Sequence, residues 1–406
     1  MTSGAEKPAR NRNPSKLMTS ILLPSWEKVA EGRMRGARPE AFGRAPLIRR
    51  CAAPSPTRGE GGNHARSPLL ATKHRRERGR TKHPLHRLGL CLILAAGCGA
   101  PEATKTSAPS PAAPALRAAV AEGEGWPRRV TDSVGRSITL EKAATRVVSL
   151  APSNTEILFA IDAGDAVVGV TTVDDYPPEA KSRASVGGMS AQAMNLETMV
   201  ALKPDLVLAT AGVQGPAIAP LERLGMTVVA LDAERPADVA ANIRAVGRLV
   251  GREAKADEVA AAFEARLEAV RARVAARTGP RPKVLYLLYD DPLMTVGPAT
   301  FLGRMVDEAG GVNAFADVAQ NYPTPSDEEV VIRRPEVVLA TFGLMSGGDR
   351  TEEQNRRRLL NRPGWKDVPA IRDARIHALD EDLTTRAGPR LVDGLEAMER
   401  ALAPSP

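Results

Sequence analysis

The chain has 406 residues, 43% of them hydrophobic, enough for two or three domains with apolar cores. Aromatic residues make up only 3%, so stacking surfaces are scarce. The formal charge of +8 is uneven: residues 1–97 hold 20 Lys+Arg against 6 Asp+Glu, and the remainder holds 36 against 42, so the basic character belongs to the N-terminal segment and no nucleic-acid partner is expected.

Residues 1–80 are rich in Arg, Pro and Gly without a sustained period, and are expected to be a disordered or mis-assigned extension. Residues 81–98 read as a signal peptide. Arg75, Arg76, Arg78, Arg80, Lys82 and Arg87 make a positive region, and Leu88 to Ala96 is an apolar run too short to span a membrane. Ala95-Ala96-Gly97-Cys98 resembles a bacterial lipoprotein cleavage box, with Leu94 one place further out than usual; Cys98 is then the lipidated residue. An ordinary signal cleaved elsewhere is the alternative. Residues 99–127, rich in Pro, Ala, Ser and Thr, are expected to be a flexible linker. Cys51 and Cys91 leave with the signal, so no internal disulfide is expected.

Residues 128–250 alternate short apolar strands with helices. Strands are predicted at 146–150, 167–170, 206–209 and 228–231, and helices from about 153 to 161, then around 195–203, 216–224 and 236–250. Ser153 and Glu156 fit a capping box. The pattern implies a mainly parallel sheet with helices on both faces, whose ligand-facing loops follow the strands. Those loops are 151–154, 171–176, 210–215 and 232–235. No phosphate-binding glycine motif occurs.

The stretch 252–277 has no Gly or Pro and holds Ala at ten positions. Val259, Phe263, Leu267, Val270 and Val274 recur at spacings of four and three, one apolar stripe on a helix roughly 39 Å long. Residues 251–280 are therefore expected to be an interdomain helix. Residues 281–406 repeat the strand–helix alternation, with strands at 283–289 and 376–379, helices near 299–309 and from 391, and Ser326 and Glu329 as a second capping box. Trp365 is expected in the core, and Arg356 to Arg358 on a solvated helix face.

The two flanks match each other. At a constant offset of 131, eight of 18 positions in 195–212 and 326–343 are identical, among them Glu197/Glu328, Pro204/Pro335 and Val207/Val338. Each copy reads as a capped helix, a Pro break and a buried strand, which favours duplication over chance likeness. The fold class is thus α/β: two Rossmann-like lobes with mainly parallel sheets, bridged by one long α-helix.

Catalytic motifs are missing. There is no G-x-S-x-G and no His-Glu-x-x-His, and His377, inside a strand, is the one His past the signal. Acidic pairs such as Asp174-Asp175, Asp290-Asp291 and Glu381-Asp382 leave a secreted hydrolase using cleft carboxylates as the alternative class. No enzyme activity, metal or cofactor is expected.

Several stretches carry a family resemblance: Ser149-Leu-Ala-Pro-Ser-Asn-Thr-Glu156, Asp175-Tyr-Pro-Pro178, Met194-Asn-Leu-Glu197, Leu202-Lys-Pro-Asp-Leu-Val207, Ser326-x-Glu328 and Arg386-Ala-Gly-Pro-Arg390. From about Arg146 to Leu402 the chain resembles the periplasmic solute-binding proteins of ATP-driven importers for vitamin B12, haem and iron-siderophores, most of all those for cobalamin. The resemblance implies two lobes on a rigid helix, with a metal-chelate ligand in the cleft. It also implies docking on the importer permease through one Glu per lobe, matched by Glu197 and Glu328. It points to Val173, Tyr176, Met189, Thr210, Met294, Tyr322, Asp382, Leu383, Thr384, Thr385 and Arg386 as ligand contacts. Val173, Thr210, Met189 and Met294 stand where the family carries aromatics. The implied protein is a lipid-anchored monomer in the periplasm or on the outer cell-membrane face. It captures cobalamin or a related corrinoid and hands it to the permease and, through it, the ATPase. Haem or ferric-siderophore binding is the alternative within the family.

Overall fold

The computed structural model describes residues 119–122, 125–341 and 351–404. The expected extension, the signal and Cys98 lie outside these residues, as do Phe342 and Gly343 at the end of the second repeat copy. Every described residue belongs to one compact unit.

The first lobe is a parallel five-stranded sheet in the order β6-β5-β4-β7-β8. Its strands are β4 (Val147–Ser149), β5 (Val167–Val170), β6 (Ala184–Ser185), β7 (Leu206–Ala209) and β8 (Val228–Ala230). Four of the five follow the expected spans because short, continuously apolar runs bury on both faces of a helix-covered parallel sheet. Helices α1 (Pro152–Ala160), α2 (Leu196–Leu202), α3 (Ala211–Arg223) and α4 (Asp238–Val250) connect them or follow the last. An antiparallel meander of β1 (Val120–Glu122), β2 (Arg128–Thr131) and β3 (Ser137–Leu140) precedes the lobe.

Three expectations are corrected here. The end of the stretch expected as linker, residues 99–127, is folded: β1 pairs with β2, and the Ala119 amide donates to Asn242 on α4 at 3.0 Å. The Ser153/Glu156 capping box does not form. Ala151, extended, is the N-cap without a side-chain hydrogen bond, and Pro152 starts the helix, where its missing N–H costs nothing. Helix α3 begins five residues earlier than expected and carries Pro216 and Pro220 inside it.

The second lobe has β9 (Lys283–Asp290), β10 (Leu293–Thr295), β11 (Val312–Asn313), β12 (Val337–Thr341) and β13 (Ile376–Leu379) in one sheet. Strands β12 and β13 run parallel to β9, as does β11 beside its start, whereas β10 folds back antiparallel on its end. The lobe's helices are α6 (Phe301–Glu308), α7 (Asp327–Arg333), α8 (Glu352–Leu360), α9 (Pro369–Arg372), α10 (Glu381–Thr385) and α11 (Leu391–Leu402). Trp365 is fully buried in this lobe's outer core, as expected.

Between the lobes runs α5 (Glu253–Ala275), unbroken over 23 residues, about 35 Å. Its buried stripe is Ala256, Ala260, Phe263, Leu267 and Val270. One continuous core joins this stripe to Ile157 and Val239 of the first lobe and to Val284 and Leu391 of the second. Polar ties add to it: Arg244 on α4 reaches Glu264 at 2.6 Å, and Arg266 reaches Asp393 and Glu396 on α11 at 2.6 and 2.8 Å. A helix packed into both cores has few ways to bend.

The repeat is physical. Helices α2 and α7 are both seven residues long. Asn195 and Ser326 cap them by accepting from the amides of Thr198 and Glu329 at 3.0 and 3.2 Å. Both end on a left-handed cation, Lys203 (φ 47°) and Arg334 (φ 51°). Asp205 then accepts from the amide of Arg146 at 2.9 Å, and Glu336 from that of Lys283 at 2.8 Å, so each acid holds the start of a neighbouring strand. The caps, the left-handed cations and the two acids keep the offset of 131; the amides the acids hold, at Arg146 and Lys283, do not.

Candidate functional site

In the first lobe four loops at the carboxyl ends of the strands meet. They carry Ala151 to Asn154, Val173, Met189, and Thr210 with Gly212 and Val213. Ala151, Met189, Val173 and Val213 pack as an apolar floor. Gln214 knits the loops together. Its side-chain amide donates to the carbonyls of Leu150 and Met189 at 3.1 and 3.0 Å and accepts from the Thr210 amide at 2.7 Å. Gln214 lies in the stretch 210–215 expected to face the ligand, but a single Gln there carries no sequence signal for this bridging role.

The second lobe closes the opposite wall with Phe301, Thr385, Arg386 and Ala387. The enclosed space is about 200 Å³, below the roughly 300–1,000 Å³ of a pocket for a drug-sized ligand. The lobes therefore stand close together.

An ion cluster clasps them on one side. Arg386 meets Asp175 at 2.7 Å and Glu156 at 3.4 Å across the cleft, and Asp382 of its own helix at 2.7 Å. Arg390 holds Glu156 at 2.6 Å and lies over the Tyr176 ring, 3.6 Å from its centre. Glu156, 3% exposed, is thus a buried carboxylate between two guanidiniums. On the other side Arg304 of α6 reaches Glu234 at 2.8 Å. Beneath the floor Asp174 takes hydrogen bonds from Thr155, Thr171 and the Thr171 amide, yet burial pushes its carboxyl up to about 6.

The expected ligand contacts divide. Val173, Met189, Thr210, Thr385 and Arg386 line the cavity. Tyr176 and Asp382 belong to the clasp. The other four lie off this lining. Met294 is buried in the core on β10, and the Thr384 hydroxyl is spent on the Asp380 carbonyl at 2.9 Å. Leu383 backs onto α11, where its carbonyl closes on Gly394, and Tyr322 packs on the shared core, away from the lining. In each case neighbouring secondary structure takes the side chain or backbone first. Asp232, in the expected ligand-facing stretch 232–235, and Asn242, outside every such stretch, also line the cavity.

Helix α2 connects parallel strands β6 and β7, and α7 connects β11 and β12, both parallel to β9. Each helix must run back against its sheet, so both begin at a carboxyl edge, as the cavity loops do. Glu197 and Glu328 sit in their first turns, exposed. Asp327 pairs with Arg362 and Glu329 with Arg333. Among the described residues neither Glu197 nor Glu328 has a cationic partner. Hydrogen bonds from its own amide and the Ser326 hydroxyl hold the Glu328 carboxyl below the usual range. Beside these acids stand exposed apolar side chains: Leu196, Val200 and, 79% exposed, Ile332.

Among the described residues, several of the loop acids are tied to arginines. Asp290 and Asp291 both meet Arg358, and Asp175 and Asp382 share Arg386. Among the described residues no group of three or more His, Cys, Asp or Glu converges as a metal site. His377 lies half-buried in β13, its imidazole pulled down by burial and by Arg375 and Arg356.

Residues 147–383 match the family described as periplasmic binding protein. The ABC transporter substrate-binding lipoprotein YvrC of Bacillus subtilis is 32% identical over 321 residues, 78% of this chain and 95% of that one. A cobalamin-binding protein of Halobacterium salinarum is 31% identical over 295 residues, 72% of this chain and 78% of that one. The solved haem-binding protein RhuT of Roseiflexus sp. RS-1 superposes with a TM-score of 0.55 at 32% identity, over 64% of this chain and 100% of that one. Two α/β lobes on one unbroken helix, a cleft lined by strand-end loops and the matched span agree: this chain belongs to the periplasmic binding protein family.

Proposed function

We propose that the protein captures cobalamin or a related corrinoid in its cleft and delivers it to an ATP-driven importer, acting on the permease and, through it, the ATPase. The observation that carries the reading is the cleft itself: an apolar floor fringed with amide and hydroxyl groups, closed by a second lobe on a stiff helix. Such a lining suits a broad, partly apolar ligand with a polar rim. The relative named for cobalamin binding supports the same ligand. To admit it the lobes must part, releasing Arg386 and Arg390 from Glu156 and Asp175. Glu197 and Glu328 are the docking residues. Their exposure, their want of a cationic partner and the apolar side chains beside them fit a basic partner surface with apolar surroundings. Cys98 carries the lipid anchor, and the protein works as a monomer outside the cytoplasm.

Haem or a ferric siderophore is the second reading, favoured by the likeness to a haem-binding structure and by the Tyr176 phenol in the clasp between the lobes. Titration calorimetry with cyanocobalamin, cobinamide, haemin and ferric siderophores tests both. Saturation at one corrinoid per chain is expected; binding confined to haemin or a siderophore selects the second reading, and binding of none rejects both.

A further inference from the structure

Four carboxylates at the rim of the cleft are matched to arginines. Glu156, Asp175 and Asp382 share Arg386 and Arg390, and Glu234 has Arg304. Asp232, which lines the cavity itself, has no cationic partner among the described residues. Its position is fixed from three sides. One carboxylate oxygen accepts from the Ala211 amide at 2.5 Å, at the start of α3. Its own amide donates to the Ser133 hydroxyl at 2.7 Å, and its carbonyl accepts from the Asn242 side chain at 2.8 Å. The nearby charge acting on it is a like one, Asp132, and burial pushes its carboxyl up to about 6. Five acids thus face three guanidiniums around the cleft. The one guanidinium in the lining, Arg386, already meets three carboxylates.

This surface is built against anions. A ligand carboxylate entering the cavity meets Asp232 directly, and once the lobes part Arg386 still keeps Asp382, four residues before it, as a partner. A ligand N–H meets a fixed acceptor that has given only part of its capacity to the Ala211 and Gly212 amides. We propose that Asp232 is a selectivity residue of the cleft, accepting a hydrogen bond from an amide-bearing or cationic ligand and turning away ligands fringed with carboxylates. Corrinoids carry carboxamides around their ring and haem carries two propionates, so Asp232 favours the former. The inference rests on the cleft being the ligand site, as proposed above.

The test compares wild type with Asp232→Asn, which keeps an acceptor for Ala211 and removes the charge. Affinities for cyanocobalamin and haemin are measured on the same preparation, so the active fraction cancels in their ratio. The ratio is expected to move at least about tenfold towards haemin, as befits a charged hydrogen bond lost and a like-charge contact relieved. Asp232→Ser, a smaller uncharged side chain, should move it the same way. A ratio unchanged within about threefold in both variants, with the wild type binding, overturns the role of Asp232 alone. A wild type that binds neither ligand overturns the ligand site and this inference with it.

Discussion

Asp174 and Glu156 show how much a single acid depends on its surroundings. Both are buried below or beside the cleft. Glu156 stands between two arginines, whereas Asp174 faces hydroxyls and an amide, and desolvation wins: its carboxyl rises to about 6 from an ordinary 3.8. Between those values the folded state keeps a proton that the unfolded chain has released. The resulting stabilisation is present below the unfolded value and is lost as pH rises through about 6. Asp174→Asn removes that ionisation. Relative to wild type, the variant should therefore gain stability as pH is raised from about 4 to 7.5, by up to about 3 kcal/mol. Urea unfolding at the two pH values reads the difference; a gap between the proteins that does not change with pH refutes it. Sequence reasoning grouped Asp174 with Asp175 as loop acids. It had no means of seeing that one is buried under the floor and its neighbour reaches across the cleft.

Among the elements, α5 was the most legible in the sequence, because a stripe repeated over 23 residues has one helical solution. Its contact with α4 was less so. The two helices meet at a sharp corner where Gly251 takes φ 67°, and Gly247 lies against α5. A Cβ on Gly247 would fall 2.2 Å from that of Ala256. The fully buried stripe accordingly begins with alanines rather than with Val259, since only a small side chain fits so close a crossing. Gly247→Ala should cost about 1–3 kcal/mol by overpacking, despite the gain in helix propensity. Chemical denaturation checks the sign: a stabilised variant contradicts this packing. The paired helices α2 and α7 were legible for a different reason. Their caps, proline breaks and strand-holding acids are local and recur at one offset, so sequence and structure carry the same information.

For the whole molecule, a stiff connection limits how far the lobes can swing, and under the docking proposed above one exposed acid on each lobe reports their separation to a partner. Glu197→Ala and Glu328→Ala should each lower ligand uptake at least about tenfold in cells, while leaving the affinity of the purified protein within about twofold. Uptake measured beside calorimetry separates docking from binding. A variant that loses affinity in solution places its glutamate in ligand binding instead.

Local chemistry settled a good deal in advance. Hydrophobic period, cap residues and a repeated register depend on neighbours a few positions apart, and these sufficed for two α/β lobes, the helix between them and the paired glutamates. The cleft needed the folded chain. Arg386 and Arg390 find Glu156 more than 200 positions away. Met294 and Thr384 turn into the core, and Asp232 is left facing the cavity without a counter-charge among the described residues. Which side chain is buried, paired or free at an interface between lobes follows from how two distant surfaces meet, and no local pattern encodes that meeting.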